Sequence, residues 1–158
     1  MLDDQNEFSM AEKNIAYFRD QYTSSNLEFW RRMGSVDFAD RTVLDIGCGH
    51  GALSVHAAEQ GAKRVVGVDI DRERIAFARE NIAANFPQYS EIISFQEAKL
   101  EDVRGSFDMA MSKDSFEHID DLFGMMAQIA SRLTENGLLI TGFSPLYFSP
   151  FGDHGRYL

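Results

Sequence analysis

A chain of 158 residues is long enough for one domain with a real core, and 44% hydrophobic with 25% charged residues is an ordinary globular composition. The formal net charge of -10, with a pI near 4.7, argues against nucleic acid as a partner, because phosphate binding wants a basic face. The one cysteine, Cys48, excludes an intrachain disulfide. The N-terminal "MLDDQNEFSM" is acidic and lacks the basic and apolar parts of a signal peptide. No apolar run approaches the ~20 residues of a membrane span. A cytoplasmic protein with no membrane partner is expected.

Residues 7 to 33 read as helical. Phe8, Ala11, Ile15 and Phe18 fall near helical spacing, and a second helix is expected with Ser24 or Ser25 as its cap and Leu27, Trp30 and Met33 on one side. "GSVDFAD" is a linker, after which strands and helices alternate. "TVLDI" is a strand, followed by a glycine turn and the helix "ALSVHAAEQG". "RVVGVDI" is a buried strand, and "DRERIAFARENIAANF" is a helix capped by Asp71. "EIISFQEA" and "SFDMAMS" are the third and fourth strands. "DDLFGMMAQIASRLTENG" is a helix expected to stop at Asn136-Gly137, and "LLITGF" is the fifth strand. Met109, Met111, Met125 and Met126 are expected in the core. Alternation of this kind implies an α/β fold, a parallel sheet with helices on both faces. The tail "SPLYFSPFGDHGRYL" shows no period and is too apolar for a typical disordered segment. It leaves the fifth strand at a sheet edge, so a homodimer contact, or a further C-terminal region, is expected to cover that edge.

The informative stretch is "VLDIGCGHG", residues 43 to 51. Glycine lets a backbone approach a ligand closely, and a strand-turn-helix unit aims N–H groups at it. Gly47, Gly49 and Ala52 satisfy the dinucleotide pattern G-x-G-x-x-G/A, and Asp69 lies twenty residues beyond Gly49, where a ribose-binding carboxylate belongs. An NAD-type ligand is therefore one reading. Asp45 opposes it, because a carboxylate two residues before the first glycine would repel a pyrophosphate. S-adenosylmethionine has no phosphate and brings ammonium and sulfonium charge, which a carboxylate favours. Gly51 completes D-x-G-x-G-x-G.

"VLDIGCGHG" resembles the first motif of the class I S-adenosylmethionine-dependent methyltransferases, small-molecule type. "VVGVDID", "FQEAKLEDV", "FDMAMSKDSFEHI" and "GLLITGF" resemble the strand motifs that follow it, in order. The resemblance covers roughly residues 40 to 145. It implies a Rossmann-like parallel sheet sandwiched by helices, here lacking the last two strands of the full methyltransferase fold. One domain over 1-158 is expected, with a helical cap at 1-36, a cofactor-binding core at 40-145 and a tail at 146-158. S-adenosyl-L-methionine is the implied cofactor. Asp45, Gly47, Cys48, Gly49 and Gly51 would form its turn, and Asp69 would grip both ribose hydroxyls. Ile70 would pack on the adenine, Glu97 would accept from its amino group, and Ala98 would donate its N–H. Ser112 and Lys113 would line the methionine end. N-terminal helices commonly cover the cofactor in this family, so Tyr17 or Tyr22 is a candidate for the pocket wall.

"DSFEH" follows the fourth strand. If a helical turn begins there, Asp114, Glu117 and His118 share one face. Two branches of the family carry a similar E-x-x-E-H stretch that binds a metal, and His154 is a candidate for a further ligand. The heavier reading has no metal, with Glu117 orienting the loop; a second functional reading makes His118 a general base, and His118, Glu117 or Asp114 is the choice for taking the proton of a hydroxyl or amine. Cys48 reads as a small residue in the turn, since this chemistry has no use for a thiol nucleophile. The expected function is methyl transfer to an O or N atom of a small-molecule acceptor. A non-catalytic S-adenosylmethionine-binding module and an NAD-dependent oxidoreductase are the alternatives.

Overall fold

The computed structural model describes residues 9–116 and 119–142. Five parallel strands form one sheet: β1 (Thr42–Ile46), β2 (Arg64–Asp69), β3 (Ile93–Glu97), β4 (Phe107–Lys113) and β5 (Leu133–Gly142), in the order β3-β2-β1-β4-β5. The order reverses between β1 and β4, and a cleft opens at the strands' carboxyl ends where the flanking connections leave in opposite directions. β1 is central and buried on both faces. Its period of two splits the core. Val43 joins Val65, Met109 and Met111 under four helices: α1 (Met10–Asp20), α2 (Asn26–Met33), α3 (Ala52–Glu59) and α4 (Arg72–Asn85). Leu44 joins Val66, Val68 and Ala110 on the opposite face, under Ile129 of α5 (Leu122–Ala130). Complete burial of Leu44 contributes about 2 kcal/mol. Among the described residues β5 pairs with β4 alone, and no helix is long and apolar enough to cross a membrane.

The N-terminal arm differs from the expected pair of helices. α1 starts at a capping box, in which Ser9 Oγ accepts from Glu12 N–H and Glu12 Oε2 accepts from Ser9 N–H. Ser24 and Ser25 cap nothing. Gln21–Ser25 form a π-turn that carries α1 directly into α2, and Ser25 stays in right-handed helical geometry. A regular helix with Phe18 and Tyr22 inward would turn Ser25 inward next. The extra residue of the π-turn puts Asn26 there instead, followed by Phe29. Leu27 faces outward, contrary to the expected stripe, whereas Met33 is partly covered with its Cε beside Gly142 of β5.

The last helix is also shorter than its apolar pattern suggests. α5 ends at Ala130, because Arg132 Nη1 donates to the Gln128 carbonyl and the Arg132 carbonyl already accepts from Phe107 N–H at 2.8 Å. β5 therefore begins at Leu133. Residues 134–137 are absorbed by a register shift between the pairs Phe107↔Leu133 and Met109↔Leu138. Met109 and Met111 are core as expected, whereas Met126 is exposed on the outer side of α5.

Candidate functional site

The glycine turn is built by backbone geometry that other residues resist. Gly47 has φ +70° and Gly51 has φ +85°. A Cβ on Gly47 would collide with the Ser115 side chain, and one on Gly51 would sit 2.6 Å from the Phe95 ring. Phe95 also lies under Gly67 of β2, so the turn, β2 and β3 lock together around one ring. The turn's own N–H groups are largely spent inside the protein. Gly47 and Cys48 both donate to the Val68 carbonyl, Gly49 donates to Asp69 Oδ2 at 2.9 Å, and Gly51 donates to the Cys48 carbonyl.

Two carboxylates flank this turn. Asp45 is 1% exposed, and its Oδ2 accepts from Ser54 Oγ at 2.6 Å. Burial pushes its pKa up to about 7, against the Ser54 hydrogen bond that pulls it down, with the nearby Asp69 charge adding to the rise. Asp69 ends β2. Its Oδ1 accepts from Asp71 N–H, as Oδ2 does from Gly49, which fixes the carboxylate without exhausting its four lone pairs.

These groups wall a cavity of about 770 Å³ at the carboxyl ends of β1, β2 and β4, within the range of about 300–1,000 Å³ usual for ligand sites. Asp45, Gly47, Cys48, Gly49, Asp69, Ile70, Ala98, Lys113 and Asp114 all line it. Gly51, Glu97 and Ser112 do not. Gly51 is turned into the core against Phe95, Glu97 is exposed at the end of β3, and the buried Ser112 Oγ donates to the Ile46 carbonyl at 2.9 Å. The Ala98 N–H is bound to the Asp69 carbonyl at 3.0 Å. Ile70 is 75% exposed, an apolar side chain standing free at the rim. Burial and the Asp45 and Asp69 charges push the Cys48 thiol up, so it is not a thiolate.

Asp114 stands at φ +52° with its N–H on the Gly142 carbonyl, so no regular helical turn begins at it. Glu117 and His118, and the tail with His154, lie outside the described residues.

The N-terminal arm closes the cavity from above through Tyr17, Gln21 and Asn26. Lys113 anchors it. Its ammonium donates to Gln21 Oε1 at 2.6 Å and Ser25 Oγ at 2.5 Å, and it lies 3.4 Å from Asp114 Oδ2. Nearer the glycine turn, His50 Nε2 pairs with Asn14 Oδ1 at 3.1 Å, and the His50 ring packs on Tyr17. Burial, and after it the nearby Arg74 charge, lower the His50 pKa, which favours the neutral imidazole. Tyr22 turns away from the cavity and donates to Glu59, which pushes its phenol up to about 12. Gln21, Asn26 and Ser115 are wall residues that the sequence did not single out, and Arg74, which reads from sequence as part of a solvated helix face with Arg72 and Glu73, also lines the wall. The first two are brought to the wall by a contact spanning 92 residues, between Gln21 and Lys113, which leaves no local signal.

A methyltransferase-domain family model matches residues 43–137. The chain is 33% identical over 107 residues to a ribosomal protein L11 methyltransferase of Geotalea daltonii, covering 68% of this chain and 32% of the relative. It thus spans about a third of the length of the curated relatives it matches. Among solved structures, a ribosomal protein L11 methylase of Lactobacillus delbrueckii subsp. bulgaricus is 31% identical with a TM-score of 0.56, covering 78% of this chain and 60% of that one. The magnesium protoporphyrin IX methyltransferase of Synechocystis, solved with bound S-adenosylmethionine, shares the fold at 24% identity and a TM-score of 0.62, over 89% of this chain and 66% of that one. With the family model covering more than half its length, the chain belongs to the class I S-adenosylmethionine-dependent methyltransferase domain family.

Proposed function

We propose that this chain binds S-adenosylmethionine in the cavity and directs its methyl group to an oxygen or nitrogen atom of a small-molecule acceptor. The observation that carries the reading is the state of the glycine turn. Four of its N–H groups are bonded internally, and two carboxylates stand beside them. Such a turn has little to give a pyrophosphate and suits a ligand with positive charge. A nicotinamide dinucleotide is disfavoured on the same ground.

When bound, S-adenosylmethionine supplies a methyl group already activated by its sulfonium. Asp45 is the residue we assign to the ammonium, and Asp69 to the ribose hydroxyls through the lone pairs its backbone contacts leave. Ile70 gives the adenine an apolar shelf. The transfer is an in-line displacement, so the protein's share is alignment and the exclusion of water. Asp114, on the cavity wall, is assigned to accept the proton of a hydroxyl or amine, with Glu117 and His118, three and four residues further along the chain, as its fellow candidates.

A protein acceptor is the second reading, favoured by the names of the relatives at 31% and 33% identity. Calorimetric titration of the 158-residue chain tests the cofactor, using S-adenosylhomocysteine, NAD as the comparison, and Asp69→Ala alongside. Binding at about micromolar affinity that the variant loses is expected. Preference for NAD, or binding of neither, overturns the reading. Transfer of labelled methyl into acid-soluble or acid-precipitable acceptors then separates the two acceptor classes.

A further inference from the structure

A buried hydroxyl stands behind the cavity wall. Ser54 is the third residue of α3 and is fully buried, and it does not line the cavity, although Ala52 and Leu53 before it do. A hydroxyl inside a helix can donate to the carbonyl four residues back, as Thr23 does to Arg19. Ser54 Oγ instead reaches out of its helix and donates to Asp45 Oδ2 at 2.6 Å, across the whole glycine turn. That separation is in the short range of hydrogen bonds from a hydroxyl to an ionised acceptor.

Asp45 has little else to hold its charge. Its partners in the sheet register are Gly67 on β2 and Met111 on β4, which bring neither a charge nor a side-chain donor. Among the described residues it makes no ion pair. Lys113, two positions past Met111 on β4, has its ammonium committed to Gln21, Ser25 and Asp114. Burial raises the Asp45 pKa to about 7, the Ser54 hydroxyl opposes that rise, and the Asp69 charge adds to it. The Cys48 thiol, in the turn beside them, stays neutral. Near neutral pH the carboxyl is therefore balanced between its two forms, and the hydroxyl is the side-chain group that favours the charged one.

We propose that Ser54 is a positioning residue for the cofactor reaction, which from behind the wall holds Asp45 aimed and ionised without itself touching the ligand. The proposal rests on the reading that the cavity takes S-adenosylmethionine, with Asp45 facing its positive charge. A protonated Asp45 has no charge to offer a cation, so losing the hydroxyl moves the pH at which the site becomes competent upward.

The test is calorimetric titration of the full chain with S-adenosylhomocysteine at about pH 6 and about pH 8.5, in buffers of different ionisation enthalpy that count released protons. The wild type is expected to release a proton at the lower pH, as Asp45 ionises on binding, and to bind about tenfold more tightly at the higher. Ser54→Ala is expected to lose about tenfold at the lower pH and less than about twofold at the higher, because a carboxyl raised by about one pH unit is still ionised there. In an Asp45→Asn background the same change should have one effect at both pH values. Equal losses at both pH values in Ser54→Ala mark a packing role and overturn the proposal. A pH-dependent loss that persists in the Asp45→Asn background overturns it too, as does wild-type binding at the lower pH without proton release. Absence of S-adenosylhomocysteine binding in the wild type at both pH values overturns the cofactor reading itself, and is seen before any variant is made.

Discussion

Gly49 gives its backbone N–H to Asp69, so the middle of the glycine turn and the end of β2 hold one another in place. The carboxylate is oriented before any ligand arrives, since Asp71 N–H fixes its other oxygen. Preorganisation of this kind lowers the ordering cost of binding.

Asp69→Ala should therefore weaken S-adenosylhomocysteine by about 100-fold, the loss of two hydrogen bonds to a charged acceptor. Its effect on stability should be smaller, about 1–2 kcal/mol for two backbone donors left to find water. Calorimetry and urea melts on the same variant separate the two effects.

Gly51→Ala tests the packing of the turn. The new methyl meets the Phe95 ring at 2.6 Å, and the backbone stays at φ +85°. The left-handed conformation costs an alanine about 1–2 kcal/mol, and overpacking adds about 1–3 kcal/mol. A double variant with Phe95→Leu should recover part of the packing loss and none of the backbone loss, as read from urea midpoints.

The buried Asp45 makes stability and binding respond to pH in opposite ways. Its folded pKa of about 7 lies above the ordinary carboxylate value, so the folded state binds the extra proton between the two. Stability from this group is full below the unfolded pKa and is lost as pH rises through about 7. A ligand ammonium prefers the ionised form, so affinity should rise over the same window. Asp45→Asn should flatten both profiles and weaken the ligand by about tenfold. Thermal melts and titrations at several values across that window check both signs.

Lys113→Met probes the arm. The thioether replaces the apolar stem, and the ammonium's bonds to Gln21 and Ser25 are gone. Amide hydrogen exchange across Met10–Met33 should accelerate by about tenfold while that of β1 stays unchanged.

The sheet was legible because its strands obey simple rules. "TVLDI" is β1 from end to end, and Asp71 caps α4 by accepting from Glu73 and Arg74 N–H. The three-glycine turn was legible as a motif and lies directly after β1. What escaped was set by distant contacts. The stop of α5 depends on Phe107 claiming the Arg132 carbonyl, which no window around Arg132 contains. The inward face of α2 depends on the π-turn, whose residues Gln21 and Ser25 are held by Lys113 far along the chain. In the site, Asp45 and Asp69 were legible from motif spacing. Ser112 was turned away by the Ile46 carbonyl, and Asn26 carries no local sign of its burial.

The π-turn also bears on tolerance to changes in chain length. A helix absorbs one inserted residue as such a turn, leaving the flanking faces where they were. Deleting Thr23 or Ser24 would close an ordinary α-turn and leave Phe18, Tyr22 and Asn26 inward. Adding a second residue would swing Asn26 off the cavity and uncouple the arm from Lys113. The segment Gln21–Ser25 is thus a one-residue expansion joint, and relatives that differ in length by a single residue between α1 and α2 can keep the same lid over the same cavity.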